Sequence, residues 1–252
     1  MRVELIAEIA SNHGGDIALA KEFIWRYAEA GADWIKFQTT RVKHLRPDDP
    51  QYAWFTQAEL SDAAHVELKA ECERAGVKFL TTVYNVAEVP FLASLGLEAI
   101  KVGSGEAGES GLAAALEGQF SRVLVSRGII GEQWLSSPFH RFQEPEVIEG
   151  KRRWTRRLNA TFFHCHTRYP CPPLFAQHLY MEPTSGWSDH CVGLDGARSA
   201  IMFGASIIEK HVSLPHQARP VKPWEATVEE FKSLRAFADE DPMRFLGRWQ
   251  HA

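Results

Sequence analysis

A chain of 252 residues has room for one (β/α)8 barrel and, by length alone, for two small domains. Its composition, 45% hydrophobic and 24% charged, is that of an ordinary globular protein, and a formal net charge of −4 gives no electrostatic reason to expect nucleic acid or a membrane surface as partner. Acidic residues inside the apolar run from Met1 to Ile9 exclude a signal peptide or membrane span there, and four cysteines without CxxC spacing point to reduced thiols in a soluble, cytoplasmic protein.

Val3 to Ile9 reads as a strand buried on both faces, delivering Glu8 to a loop at Asn12-His-Gly-Gly15. Asp16 is placed to cap a helix running to Ala30, because Leu19, Phe23, Tyr27 and Ala30 recur at helical spacing. Gly31 then ends the helix, and Asp33 to Gln38 forms the next strand. The same helix, glycine, strand join recurs at Gly76, Gly96 and Gly204, which implies a repeated βα unit. Filling the gaps predicts strands near 3–9, 33–38, 78–82, 98–102, 122–126, 161–165, 185–189 and 206–210. Helices are predicted near 16–30, 61–75, 86–95, 108–117, 130–149, 174–181, 194–203 and 226–238. The fold expected is a single α/β domain over 1–252, a closed (β/α)8 TIM barrel, with a C-terminal tail at 240–252. The segment 39–60 exceeds normal loop length and reads as a lid or an oligomer contact. The basic run Lys151, Arg152, Arg153, Arg156 and Arg157 lacks interleaved aromatics and reads as a solvated face.

In such barrels the chemistry sits at the C-terminal ends of the strands. His190 and His211 end consecutive strands, so their imidazoles can converge on one ion. Lys36 and Lys101 follow apolar pairs into the same mouth; an anion, or ion pairs with Glu8, Glu106 or Glu209, must compensate them. A desolvated lysine beside another cation is also a candidate Schiff-base former. Gly103-Ser-Gly105-Glu-Ala-Gly108 is a literal GxGxxG, but the following strand lacks the terminal acid of a dinucleotide site, so a phosphate approached by Ser104 and backbone N–H groups at a helix start is expected instead. Asp189 and Glu209 are placed to orient the imidazoles or to serve structure.

Taken together, Ile6-Ala-Glu-Ile9, Asn12-His-Gly14, Gly31-Ala-Asp-Trp-Ile-Lys-Phe-Gln38, Lys101-Val-Gly-Ser-Gly-Glu106, His164-Cys165 with Tyr169-Pro170, Ser188-Asp-His190 and Glu209-Lys-His211 resemble the N-acetylneuraminate (sialic acid) synthase family across about residues 4–235. The resemblance implies a (β/α)8 enzyme that condenses phosphoenolpyruvate with an open-chain sugar aldehyde, giving a 3-deoxy-2-keto sugar acid and phosphate. It implies a divalent cation on His190 and His211, Mn²⁺ before Mg²⁺ or Co²⁺. It places Lys36, Lys101, Thr82, Ser104, Ser126 and Ser188 on phosphoenolpyruvate, sets Glu8, Gln38, Glu106 and Tyr169 towards the acceptor or the reacting carbons, and suggests a homo-oligomer. Glu8, Lys36, Lys101 and Glu106 are the expected catalytic groups.

The departures concentrate on the acceptor. His166-Thr167 and Ser126-Arg127-Gly128 differ from the family pattern, the loop Pro215 to Trp224 lacks the aspartate that family members place there, and the sequence stops short of the antifreeze-like domain carried by many members. A non-standard acceptor with an extra anionic group is therefore expected, met by Arg127, Arg168, Arg219 and Lys222. A metal-dependent or Schiff-base aldolase, or a barrel that binds sugar without turnover, remain alternatives.

Overall fold

The computed structural model describes residues 2–129, 137–140, 146–148, 151–153, 158–171 and 186–240. Eight parallel strands close a barrel: β1 (Glu4–Ala10), β2 (Trp34–Thr39), β3 (Lys78–Val83), β4 (Ala99–Val102), β5 (Arg122–Ser126), β8 (Ala160–Cys165), β9 (Gly186–Asp189) and β10 (Ile207–His211). The remaining pair, β6 (Glu146–Ile148) and β7 (Lys151–Arg153), is a separate antiparallel hairpin. Helices α1 (Ile17–Glu29), α3 (Asp62–Arg74), α4 (Val89–Ser94), α5 (Ser110–Leu116), α6 (Asp195–Met202) and α7 (Val228–Asp239) join the strands. No helix among the described residues is long and apolar enough to cross a membrane.

Every predicted barrel strand falls within a residue or two of its observed limits. The glycines at the four predicted joins all have positive φ, from +64° to +97°, the left-handed turn that lets each helix stop and reverse into a strand. Asp16 caps α1 as expected, its carboxylate accepting from Ala18 N and Leu19 N at 2.8 and 3.1 Å.

Two expectations change. Of the helix predicted over 130–149, residues 146–148 are strand β6, because Glu-Val-Ile alternates and finds a partner in Lys151–Arg153; most of the rest lies outside the described residues, as do the piece at 174–181 and most of the tail. The segment 39–60 is not a plain loop. It contains α2 (Tyr52–Ala58) and is pinned by Arg41, which ion-pairs with Glu88 and Asp62 and donates to the Leu60 carbonyl, while Trp54 Nε1 donates to Ser11 Oγ at 2.9 Å.

The interior is built in layers by the two-residue period of the strands. Ile6, Trp34, Leu80, Ala99, Leu124, Phe163 and Ile207, from seven of the eight strands, form one buried plug. The eighth strand supplies Gly186, where a Cβ would lie 2.7 Å from the Phe163 ring, so the missing side chain is what admits that phenyl group to the axis. Outward-facing Leu5, Ile35, Ile100 and Ile208 belong instead to the large core between barrel and helices.

Beside the barrel mouth, His13 is 1% exposed and held in one neutral form: Nδ1 accepts from Gly15 N at 3.0 Å while the ring also bonds the Ala10 carbonyl. Burial lowers its pKa to about 4 from 6.5. Between those values the unfolded chain takes up a proton that the folded one refuses, so stability falls with falling pH. This residue alone should make the protein about 2 kcal/mol less stable at about pH 5 than at about pH 7. Urea unfolding of His13→Gln at both pH values should show a shallower pH slope than the parent; an equal slope would remove His13 from the acid response.

Candidate active site

Two residues beyond the plug, the same strand faces turn polar. Ile6 is followed by Glu8, Trp34 by Lys36, Leu80 by Thr82, Ala99 by Lys101, Leu124 by Ser126, Phe163 by Cys165, Gly186 by Ser188 and Ile207 by Glu209. These residues line a cup of about 340 Å³ at the C-terminal end of the barrel, with Gln38, Tyr84, Ser104, Glu106, Tyr169, His190 and His211 around its wall. All twelve predicted site residues are therefore brought together.

At the base, Lys36 Nζ lies 2.7 Å from Glu8 Oε2 and 3.5 Å from Glu209 Oε2. Burial opposes the Lys36 charge, but Glu209 and Glu8 overcome it and raise its pKa. Two carboxylates sharing one ammonium do not behave alike. Burial, with the charge of Glu209 added, pushes Glu8 up to about 7 against the pull of Lys36. Glu209 feels the same burial but is held down to about 2 by Lys36, Lys101 and His211 together, and Ser188 Oγ donates to it at 2.9 Å. Gln38 Nε2 donates to Glu8 Oε1 at 3.0 Å and fixes the rotation of that carboxyl.

Lys101 is 2% exposed and differs from Lys36. Its Nζ donates to Ser126 Oγ at 2.5 Å and the Val102 carbonyl at 3.0 Å, and among the described residues no carboxylate lies within ion-pair distance. Burial lowers its pKa. Beside it, Ser104 Oγ accepts from Gly128 N at 3.2 Å and touches Cys165 Sγ at 3.3 Å. A Cβ on Gly103 would sit 2.5 Å from Glu106 Oε2, so that glycine makes the space for Glu106, whose pKa burial raises. The helix expected after this loop, α5, begins at Ser110, and the loop reaches the cup through its own turn.

The imidazoles of His190 and His211 face each other with centroids 5.6 Å apart. His190 Nδ1 donates to the His166 carbonyl at 2.7 Å, which leaves the Nε2 lone pair towards the cup, where it accepts from Tyr169 Oη at 2.9 Å. Burial lowers His190 to about 4; burial, then the charges of His190 and Lys36, takes His211 well below its ordinary value. Both rings are thus neutral near pH 7, the state that ligates metals. Glu8 Oε2 and Glu209 Oε2 are buried and meet no hydrogen bond of good geometry among the described residues. Two neutral imidazoles on one wall of the cup are nitrogen donors that fit a divalent transition metal.

Asp189 orients neither imidazole. It and Lys210 are out of phase with the cup-facing residues and pair behind the wall at 2.7 Å. The arginine ring expected around the mouth is also absent from the cup: Arg127 bonds His164, Arg219 stacks over Trp54 at 4.8 Å, and neither they nor Arg168 or Lys222 line it. Glu209, expected only to orient an imidazole or serve structure, stands at the base of the cup, and Tyr84 and Cys165, absent from the expected site, also line it, each two residues beyond an inward-facing residue.

Comparison with known proteins agrees with this geometry. The chain matches the NeuB family over residues 23–239. It is 29% identical over 234 residues to an N,N'-diacetyllegionaminic acid synthase of Campylobacter jejuni, covering 83% of this chain and 67% of that protein. An uncharacterised protein of Methanocaldococcus jannaschii is 30% identical over 242 residues, covering 91% and 68% respectively. The crystal structure of N-acetylneuraminic acid (sialic acid) synthetase from Leptospira borgpetersenii serovar Hardjo-bovis superposes with a TM-score of 0.81 at 25% identity, covering 98% of this chain and 86% of that one.

Proposed function

The chain belongs to the NeuB family, and we propose that its cup condenses phosphoenolpyruvate with the aldehyde of an open-chain amino sugar, releasing phosphate and a 3-deoxy-2-keto sugar acid. One observation carries the reading furthest: Lys101 is a buried ammonium with no carboxylate partner among the described residues, at the base of a cup lined with hydroxyls. Burying an unpaired charge costs several kcal/mol, so the site is built for an anion that arrives with the substrate.

In this reading Lys36 and Lys101, with Thr82, Ser104, Ser126 and Ser188, hold the phosphate and carboxylate of the donor. A divalent cation held by His190 and His211 supplies Lewis acidity towards the aldehyde oxygen. The enol C3 of the donor bonds the aldehyde carbon, the C=O π pair passes to the aldehyde oxygen, which takes up a proton and becomes the new hydroxyl, and positive character develops at C2. Glu8, near neutrality in its titration and fixed by Gln38, removes a proton from the water that adds at C2. Glu209 stays ionised and balances Lys36 throughout. The adduct then expels phosphate with its bridging oxygen onto the lysines and hydroxyls.

We infer a neutral acceptor from the wall that the described residues offer it, which is aromatic. Tyr169, with Trp224 edge-on at 5.5 Å, supplies an aromatic wall for it. Phosphoenolpyruvate labelled with ¹⁸O in the bridging position is the direct test: the label should leave in phosphate, and label retained in the organic product would defeat the mechanism. A Schiff-base aldolase is the second reading, favoured by the burial-lowered pKa of Lys101. Borohydride trapping of pyruvate on Lys101 would replace the first reading with it.

A further inference from the structure

Behind the cup-facing edge of β9 lies a cluster that the condensation does not use. Cys171 and Cys191 pair across a parallel bridge, with Cys171 N donating to the His190 carbonyl at 2.9 Å. Their thiols hydrogen-bond each other, and both sulfurs lie within 4.8 Å of each other and of the Asp189 carboxylate. Lys210, 1% exposed, donates to Asp189 Oδ2 and to the Cys191 carbonyl, each at 2.7 Å. That ammonium already neutralises the Asp189 carboxylate, and a dication bound beside it would be repelled at low dielectric. Both cysteines are buried, Cys171 3% and Cys191 0% exposed, but the residues beside them are not: Val192 is 52% and Tyr169 48% exposed, so a molecule as small as hydrogen peroxide has a short path to the pair.

We propose that Cys171 and Cys191 form a redox-switchable pair, which a peroxide converts to a disulfide that locks Tyr169 onto His190 and weakens cation binding there. The last clause rests on the metal-site reading above; the disulfide does not. Residues paired on adjacent strands have Cα atoms about 4.8 Å apart, inside the range a disulfide spans. One thiolate attacks the peroxide to give a sulfenic acid and water, and the second thiol displaces the sulfenic oxygen as a second water. Two thiols and one hydrogen peroxide thus become one S–S bond and two waters, with two electrons passing from sulfur to the O–O bond. Reversible pairs of this kind are the form disulfides usually take inside cells.

The link to the cup is short. The Tyr169 ring stacks on His190 with centroids 3.9 Å apart, and its hydroxyl occupies the Nε2 lone pair at 2.9 Å. A cation reaches that nitrogen only when the hydroxyl moves off. In the thiol form the Tyr169–Cys171 segment can shift by parting two sulfurs; the covalent bond removes that freedom.

The test treats metal-free protein with hydrogen peroxide, then alkylates under denaturing conditions and maps peptides by mass. A linked Cys171–Cys191 peptide, two hydrogens lighter and reversed by dithiothreitol, is expected. Calorimetric titration of the same samples with Mn²⁺ should show the dissociation constant rise about tenfold on oxidation and return on reduction. Cys171→Ala and Cys191→Ala should each abolish both responses. Two alkylated thiols after peroxide, or a linked peptide with unchanged Mn²⁺ affinity, would overturn the switch. Stoichiometric Cd²⁺ binding lost in either cysteine variant would overturn it in favour of a thiolate metal site. A linked peptide in protein that binds no Mn²⁺ in either redox state would overturn the coupling and the metal-site reading while leaving the disulfide.

Discussion

Lys101→Met will bind phosphoenolpyruvate about a hundredfold more weakly than the parent, a loss of about 3 kcal/mol, the usual cost of truncating one member of a buried, hydrogen-bonded charge pair. The side chain is 2% exposed, bonded to Ser126 Oγ and in ion-pair contact with no carboxylate among the described residues, so the substrate anion is its proposed contact counter-charge. The same reasoning fixes the sign of a second readout. Without substrate the parent holds over the Phe163 ring, at 5.3 Å, a buried ammonium that feels Glu209 and Glu8 only from beyond ion-pair distance, whereas methionine fills the volume without the charge. The variant should therefore melt at or above the temperature of the parent when substrate-free, and below it when phosphoenolpyruvate is saturating for the parent. Calorimetric titration with two thermal scans reads both; unchanged affinity would take Lys101 out of the donor site. Lys36→Met should behave differently, because Glu8 and Glu209 would lose their shared cation and the fold itself would weaken.

His211→Ala will lower metal-dependent turnover by about a thousandfold or more, since polarisation of a carbonyl by a bound cation is worth several kcal/mol in the transition state. Folding should survive. Burial keeps this imidazole far from its protonated form, and the side chain stands on the cup wall and not in the plug. His190→Ala should lose activity to the same extent and slightly more stability, because it also breaks the bonds to the His166 carbonyl and Tyr169 Oη. Turnover at saturating Mn²⁺, with far-ultraviolet dichroism to confirm folding, is the measurement. Near-full turnover in either variant would refute the ligand assignment.

The barrel was legible because its signal is redundant. Four glycine joins and eight apolar runs mark the register of helix and strand independently, and each glycine adopts the left-handed turn its position implied. The cup was legible for the same periodic reason: Lys36, Lys101, Glu8 and Ser188 each stand two residues beyond the inward-facing residue of the plug layer. That rule also separates Glu209 from Lys210 and His190 from Asp189, and adjacency in sequence does not, which is why Asp189 looked like a partner of the imidazoles and proved to be the counter-ion of Lys210. What failed was placement that no local period encodes. Arg219 stacks on Trp54 across the fold, a contact between residues far apart in the chain. Glu146–Ile148 is too short for a pattern to tell strand from helix, and its state was decided by a pairing partner.

The central claim is that the cup joins an anionic enol donor to a neutral aldehyde with the help of a divalent cation. Phosphate release from phosphoenolpyruvate, measured with and without Mn²⁺ across a panel of neutral amino-sugar aldehydes and their phosphorylated or carboxylated counterparts, tests it most directly. The account predicts release only when cation and aldehyde are both present, and faster with the neutral members. Release that needs no aldehyde, or that needs no cation, would contradict it.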